Sequence, residues 1–117
     1  MDIEIIRGDL VYVNLEPIIG SETGRKRPCV IIQNNIGNKY SPVTIVAIIT
    51  SQKEISKKYP VDVWIVKGEG ELNYASIVQC DQIRTIDKRR IIKKIGHLSD
   101  SVIQEIDEAI KISLELN

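Results

Sequence analysis

The stretch Val43–Ser51, VTIVAIITS, constrains this chain more than any other. It is apolar at successive positions until Thr50 and Ser51, so it has neither the alternation of a half-exposed strand nor the period of an amphipathic helix. It falls well short of the roughly 18 apolar residues that a membrane-crossing helix needs. Its β-branched content points to a strand buried on both faces, with polar residues closing it at one end.

The rest of the chain supplies strands to pair with it. PCVIIQN (28–34) reads as a second central strand, with Pro28 tolerated at its first position. LVYVNL (10–15), VDVWIV (61–66) and YASIVQCDQIRTID (74–87) add three more, separated by turn-rich segments at 17–27, 35–42, 52–60 and 67–73. KRRIIKKIGHL (88–98) fits either a short helical turn followed by a strand or a strand alone. Composition agrees: Ile and Val are abundant, and there are four Tyr, one Trp and no Phe. The tail is helical, with Ser99 as N-cap, a Leu98–Ile103 staple, and a stripe of Ile103, Ile106, Ile110 and Leu114. These elements predict one domain over 1–117: mainly β (α+β), a small antiparallel barrel or curled sheet carrying a C-terminal α-helix.

Several function classes drop out. Cys29 and Cys80 lie in apolar runs without ligand spacing, and His97 is the only histidine, so no metal is expected. The phosphate-loop, dinucleotide, zincin and serine-hydrolase motifs are absent. MDIEIIRGD lacks the basic start of a secretory signal, which leads us to expect a cytoplasmic protein without membrane contact. The tripeptide Arg7-Gly8-Asp9 spells an integrin ligand, a match expected to be coincidental in a chain read as cytoplasmic.

Zero formal net charge hides a segregation. Residues 99–117 carry five acids against Lys111, so residues 1–98 hold 15 basic and 11 acidic groups. Arg25, Lys26 and Arg27 stand together at the mouth of the 28–34 strand, after a loop punctuated by Gly20 and Gly24. If that strand pairs antiparallel with 43–51, Arg27 and Thr50 meet on one rim. A guanidinium and a hydroxyl converging there suit a phosphate. Spacing leaves a second option open, in which Arg27 pairs with Glu22 across its own loop. Two loop tyrosines, in KYSP (39–42) and KKYP (57–60), lie beside lysines in the way that suits stacking on an unpaired base.

Three blocks in order, RGDLVYVNLEPIIGSETGRKRPCVIIQNNIGNKYSP, TIVAIITS and CDQIRTIDKRRI, resemble the MazF/PemK/Kid family of toxins from bacterial toxin–antitoxin pairs, nearest to its Gram-positive, EndoA-type branch. The resemblance implies an SH3-like or CcdB-like barrel with a C-terminal helix, assembled as a homodimer. It also implies a metal-independent, cofactor-free mRNA interferase that cuts single-stranded RNA by attack of the ribose 2′-OH, leaving 2′,3′-cyclic phosphate and 5′-OH ends. Arg27, in GRKRP, and Thr50, at the end of the IT strand, match the family's catalytic pair. RNA contacts carry over to Ser21, Glu22, Tyr59, Pro60, Asp81 and Gln82. By position, Arg25, Lys26, Ser51 and Arg84 join them as candidates. Asp81-Gln82 stands where close relatives show Glu-Gln, Thr23 where they show Gln, and Asn35 where they show Asp. ACA-containing sites, UACAU among them, are the expected targets. The implied partner is a MazE-like or EndoAI-like antitoxin whose acidic C-terminal segment would lie over the basic loops. Two rivals share the fold: a CcdB-like gyrase poison, for which the ISLELN end lacks an aromatic, and a non-catalytic SH3-like binding module, for which the chain is short of aromatics.

Overall fold

The computed structural model describes residues 3–17, 19–22, 25–54 and 57–117. The apolar run becomes strand β3 (Val43–Ser51), with only its ends and Ile45 less than fully buried. It is flanked on one side by β2 (Lys26–Ile31) and on the other by β5 (Ser76–Asp87). Beyond these lie β1 (Asp9–Asn14), β6 (Ile91–His97) and β4 (Asp62–Ile65), giving one antiparallel sheet in the order β4-β5-β3-β2-β1-β6.

Both faces of this sheet are buried. On one, Val30, Ala47, Ile49 and Val78 pack under helix α2 (Asp100–Leu114). On the other, Val11, Val13, Cys29, Ile31, Val46 and Ile48 form a second cluster, joined by Ile5 from the N-terminal segment. A single helix covers only one face, so the second cluster is buried by the curl of the sheet on itself. Bulges produce that curl. Ala47 pairs with Ile83 while the next residue, Ile48, pairs with Gln79, so Cys80, Asp81 and Gln82 are surplus on β5. Two smaller irregularities interrupt the β1–β6 ladder.

Boundaries differ from the sequence reading in instructive places. β2 starts at Lys26, two residues earlier than expected, because Lys26 and Arg27 pair with Asn14 and Val13 of β1. Pro28 is therefore interior to the strand. Its ladder to β3 begins only at Cys29, so the stretch before it is edge-like, as a residue without an N–H requires. The expected turn at 35–42 contains a short helix, α1 (Asn35–Tyr40). The Asn34 side chain caps it by accepting from Gly37 N at 2.8 Å, and buried Asn38 accepts the Thr44 hydroxyl at 2.8 Å. Residues 88–90 form a 3-10 turn ahead of β6, the first of the two alternatives for that segment.

In α2 the buried spine is Val102, Ile106 and Ala109, with Ile103 and Ile110 at its margin and Leu114 55% exposed. The apolar stripe is thus rotated towards Val102. Ser99 occupies the N-cap position, yet its side chain makes no capping bond; its N–H and hydroxyl both go to the Glu69 carboxylate. The Arg7-Gly8-Asp9 turn proves structural. Arg7 reaches Asp107 on α2 at 2.6 Å, and buried Asp9 accepts from Ile6 N, His97 Nδ1 and Lys94 Nζ. Gly8 has φ +94°, and a Cβ there would stand 2.5 Å from Ile103 Cδ1.

Among the described residues no helix is long and apolar enough to cross a membrane. Both thiols are free and buried, and burial pushes each up to about 12.

Two outcomes are expected. Truncating Ile106 to Ala, which empties the contact between helix and sheet, should cost about 2–5 kcal/mol in urea denaturation. At pH 8 a thiol of pKa about 12 is thiolate only on the order of one part in ten thousand. Neither cysteine should therefore react with Ellman's reagent until denaturant is added.

Candidate active site

The site grows out of the β2–β3 register. Cys29 faces Ile48, Val30 faces Ala47 and Ile31 faces Val46. Carried two residues past Cys29, the same register sets Arg27 opposite Thr50. Cys29, Ile31, Val46 and Ile48 all point into the cluster on the face away from α2. With the strand period of two, Arg27 and Thr50 project to that same face, where the ladder has stopped.

There the side chains meet. Arg27 Nη1 donates to Thr50 Oγ1 at 3.2 Å and to Glu54 Oε2 at 3.3 Å, while the Thr50 hydroxyl donates to the same Glu54 oxygen at 2.7 Å. Burial is graded across the triangle. Thr50 is 5% exposed, the Arg27 side chain 22% and the Glu54 side chain 56%. The Thr50 hydrogen bond and then the Arg27 guanidinium hold the Glu54 carboxyl below the usual carboxylate range. Beneath them the Cys29 thiol points to the Arg27 carbonyl at 3.7 Å and, protonated, is an inert floor.

Glu54 is the functional candidate that sequence reading passes over. It is absorbed into the polar, basic loop 52–60, whose cations dominate its composition. The 3-10 turn Gln52–Glu54 brings it back over the strand end, so a carboxylate four residues beyond Thr50 bonds that hydroxyl. Glu22, the acid that spacing offers to Arg27, has another role: its carboxylate accepts Ile19 N at 2.6 Å and closes its own turn.

The remaining candidates occupy distinct surroundings. Ser21, Arg25 and Lys26 are exposed on the approach to β2, and Arg25 is held at φ +67° with its N–H on the Glu16 carboxylate at 2.6 Å. Thr23 and Gly24 lie outside the described residues. Ser51 has opposite parity to Thr50, and its hydroxyl accepts Lys53 N at 3.2 Å. Arg84 shares the parity of Ile86 and donates to the Leu15 carbonyl, tying β5 to the segment after β1. Asp81 is exposed and Gln82 half-buried, both within the β5 bulge.

Tyr59 and Pro60 line a groove against Gln104, Glu105 and Glu108 of α2. The Lys57 ammonium lies 5.5 Å from the exposed Tyr59 ring, and the Asp62 carboxylate accepts Tyr59 N at 3.0 Å. Tyr40 has the same kind of neighbour, with Lys39 Nζ at 5.3 Å. Among the described residues no three His, Cys, Asp or Glu side chains gather as a metal-holding group.

Comparison with known proteins adds an independent line. A family model described as the PemK-like, MazF-like toxin of type II toxin–antitoxin systems matches residues 6–114. Endoribonuclease EndoA of Bacillus subtilis (strain 168) is 46% identical over 110 residues, covering 94% of each chain. Among solved structures, MazF from Deinococcus radiodurans superposes with a TM-score of 0.81 at 24% identity, covering 97% of this chain and 99% of that one. An endoribonuclease in complex with its cognate antitoxin, from a mycobacterial species, gives 0.80 at 18% identity and covers 97% of both. The two structural matches bear on the fold alone. The family model and the EndoA relative establish that this chain belongs to the PemK-like, MazF-like toxins of type II toxin–antitoxin systems.

Proposed function

We propose that this chain, a toxin-family endoribonuclease, cuts single-stranded RNA at the Arg27–Thr50 rim without a metal ion. The observation that carries the reading is the convergence of a guanidinium and a nearly buried hydroxyl, 3.2 Å apart, at the rim where the β2–β3 ladder has ended. Such a pair offers fixed donors to a phosphate and needs little reorganisation during reaction. The ribose 2′-oxygen gives up its proton to solvent water and attacks the adjacent phosphorus. The P–O5′ bond breaks and the leaving 5′-oxygen takes a proton from water, so the ends are a 2′,3′-cyclic phosphate and a 5′-OH. Arg27 neutralises the charge that builds on the phosphorane oxygens. It is not the acid or base, because a guanidinium does not give up its proton in proteins. Thr50 donates its hydroxyl to one non-bridging oxygen.

Around this centre, Arg25 and Lys26 attract the RNA backbone, while Ser21, Glu22, Asp81 and Gln82 face the bases from the first loop and the β5 bulge. Tyr59 and Pro60 extend the surface, with Ser51 and Arg84 supporting it. ACA-containing sequences are the proposed targets. We further propose that the chain acts as a single domain, forms a homodimer, works in the cytoplasm, and is silenced by a cognate antitoxin. The acidic C-terminal segment of that antitoxin would cover the basic loops. The mycobacterial endoribonuclease of the same fold, solved in complex with its cognate antitoxin, supports the existence of such a partner by analogy.

The test is cleavage of a diverse RNA pool in excess EDTA, followed by sequencing of the ends. Cleavage with cyclic phosphate termini is expected, and Arg27→Ala should slow it by at least about 10²-fold. No cleavage of any RNA by the native protein would sink the enzyme reading. Full activity of Arg27→Ala would move the site elsewhere.

A further inference from the structure

An anion already occupies the donors of the candidate site, and it belongs to the protein. Glu54 Oε2 takes the Thr50 hydroxyl at 2.7 Å and Arg27 Nη1 at 3.3 Å. One negatively charged, acceptor-only oxygen at the meeting point of a hydroxyl and a guanidinium is chemically equivalent to a non-bridging phosphate oxygen. From this geometry we infer that Glu54 is an internal surrogate for the RNA phosphate, filling the seat in the free protein and yielding it when RNA binds. The inference deepens the function proposed above and rests on its assignment of Arg27 and Thr50 to the phosphate.

Three observations support displacement in preference to sharing. Thr50 has a single hydroxyl proton, and in the free protein Glu54 holds it. A phosphate oxygen gains that proton only if the carboxylate moves away. Next, the carboxyl is held in its ionised form by its two partners, so at neutral pH it competes as an anion and repels a second one. Finally, the Glu54 side chain is 56% exposed at the end of the 3-10 turn Gln52–Glu54, so it can rotate into solvent without unpacking the core.

The consequence is a threshold for binding. A lone phosphate must compete with a tethered carboxylate of high local concentration. An RNA with further contacts to the basic loop and bases brings enough additional binding energy to displace it. Glu54 thus lowers the affinity of every ligand that uses the seat by the same factor, and only an RNA with enough other contacts still binds at ordinary concentrations.

Glu54→Gln tests this, since it keeps the size of the side chain and an oxygen for the Thr50 hydroxyl but removes the charge. Three quantities are measured: the Kd of inorganic phosphate by NMR titration, the Kd of an oligonucleotide blocked by a 2′-deoxy substitution at the cleaved position, and kcat with KM on the cleavable RNA. Both dissociation constants and KM should fall by about 3- to 30-fold, most at low salt, and kcat should not fall. Glu54→Ala should shift phosphate affinity in the same direction. Turnover slowed by about two orders of magnitude at unchanged affinity overturns the inference and makes Glu54 the general base for the 2′-OH. Unchanged affinity and kinetics overturn it as well, leaving a surface ion pair. The phosphate titration needs no cleavage, so a native protein that cuts no RNA while Glu54→Gln binds phosphate more tightly would refute the nuclease reading and retain the anion seat.

Discussion

The register between β2 and β3, with Cys29 opposite Ile48, is the constraint on which the site depends. It is set by burial: shifting it by one residue would turn Cys29, Ile31, Val46 and Ile48 out of one core and bring wrong-sized neighbours into the other. Because the register is locked by apolar packing, Arg27 and Thr50 are placed opposite one another by residues with no chemistry of their own. Pro28 adds a second condition. It coincides with the end of the β2–β3 ladder, and the rim beyond is free for side-chain hydrogen bonds.

Energetically the rim is a compromise between rigidity and access. Thr50 is almost as buried as the core beside it, so its hydroxyl direction is well defined. Arg27 is fixed at its backbone by pairing with Val13, while its guanidinium stays partly in solvent. Glu54 is the most exposed of the three and belongs to a turn without a buried residue. A ligand entering from solvent meets the exposed charge first and the fixed donors last, the order that allows exchange of one anion for another without disturbing the sheet.

The same division explains which parts of the molecule are legible from the chain. Strand β3 reads with its observed bounds, because a run apolar at both parities admits few alternatives. The C-terminal helix reads with its observed N-cap position, Ser99, but its buried spine is rotated from the expected one. Counting Ile and Leu favours Leu114, whereas contact with the sheet selects Val102 and the small Ala109, which lets the helix approach closely. Helix α1 escapes a sequence reading because its length and glycine give it little intrinsic propensity; the Asn34 cap and the buried Asn38 side chain hold it in place.

At the site, Arg27 and Thr50 are accessible to sequence reasoning because both sit at ends of apolar strands, where antiparallel pairing dictates who meets whom. Periodicity and burial determine the run of strands and the helix-ended class from the sequence alone. Arg27 and Thr50, in contrast, meet only if their two strands pair antiparallel, and their selection as a catalytic pair rests on the family resemblance. Tertiary structure alone decided the third member. Glu54 lies in a segment with no periodic signal, and Glu22 is an equally good partner by spacing. The 3-10 turn directs Glu54 onto Thr50, and a local bond to Ile19 N claims Glu22. Which acid meets an arginine depends on loop direction in space, and loop direction is set by contacts that no local pattern encodes.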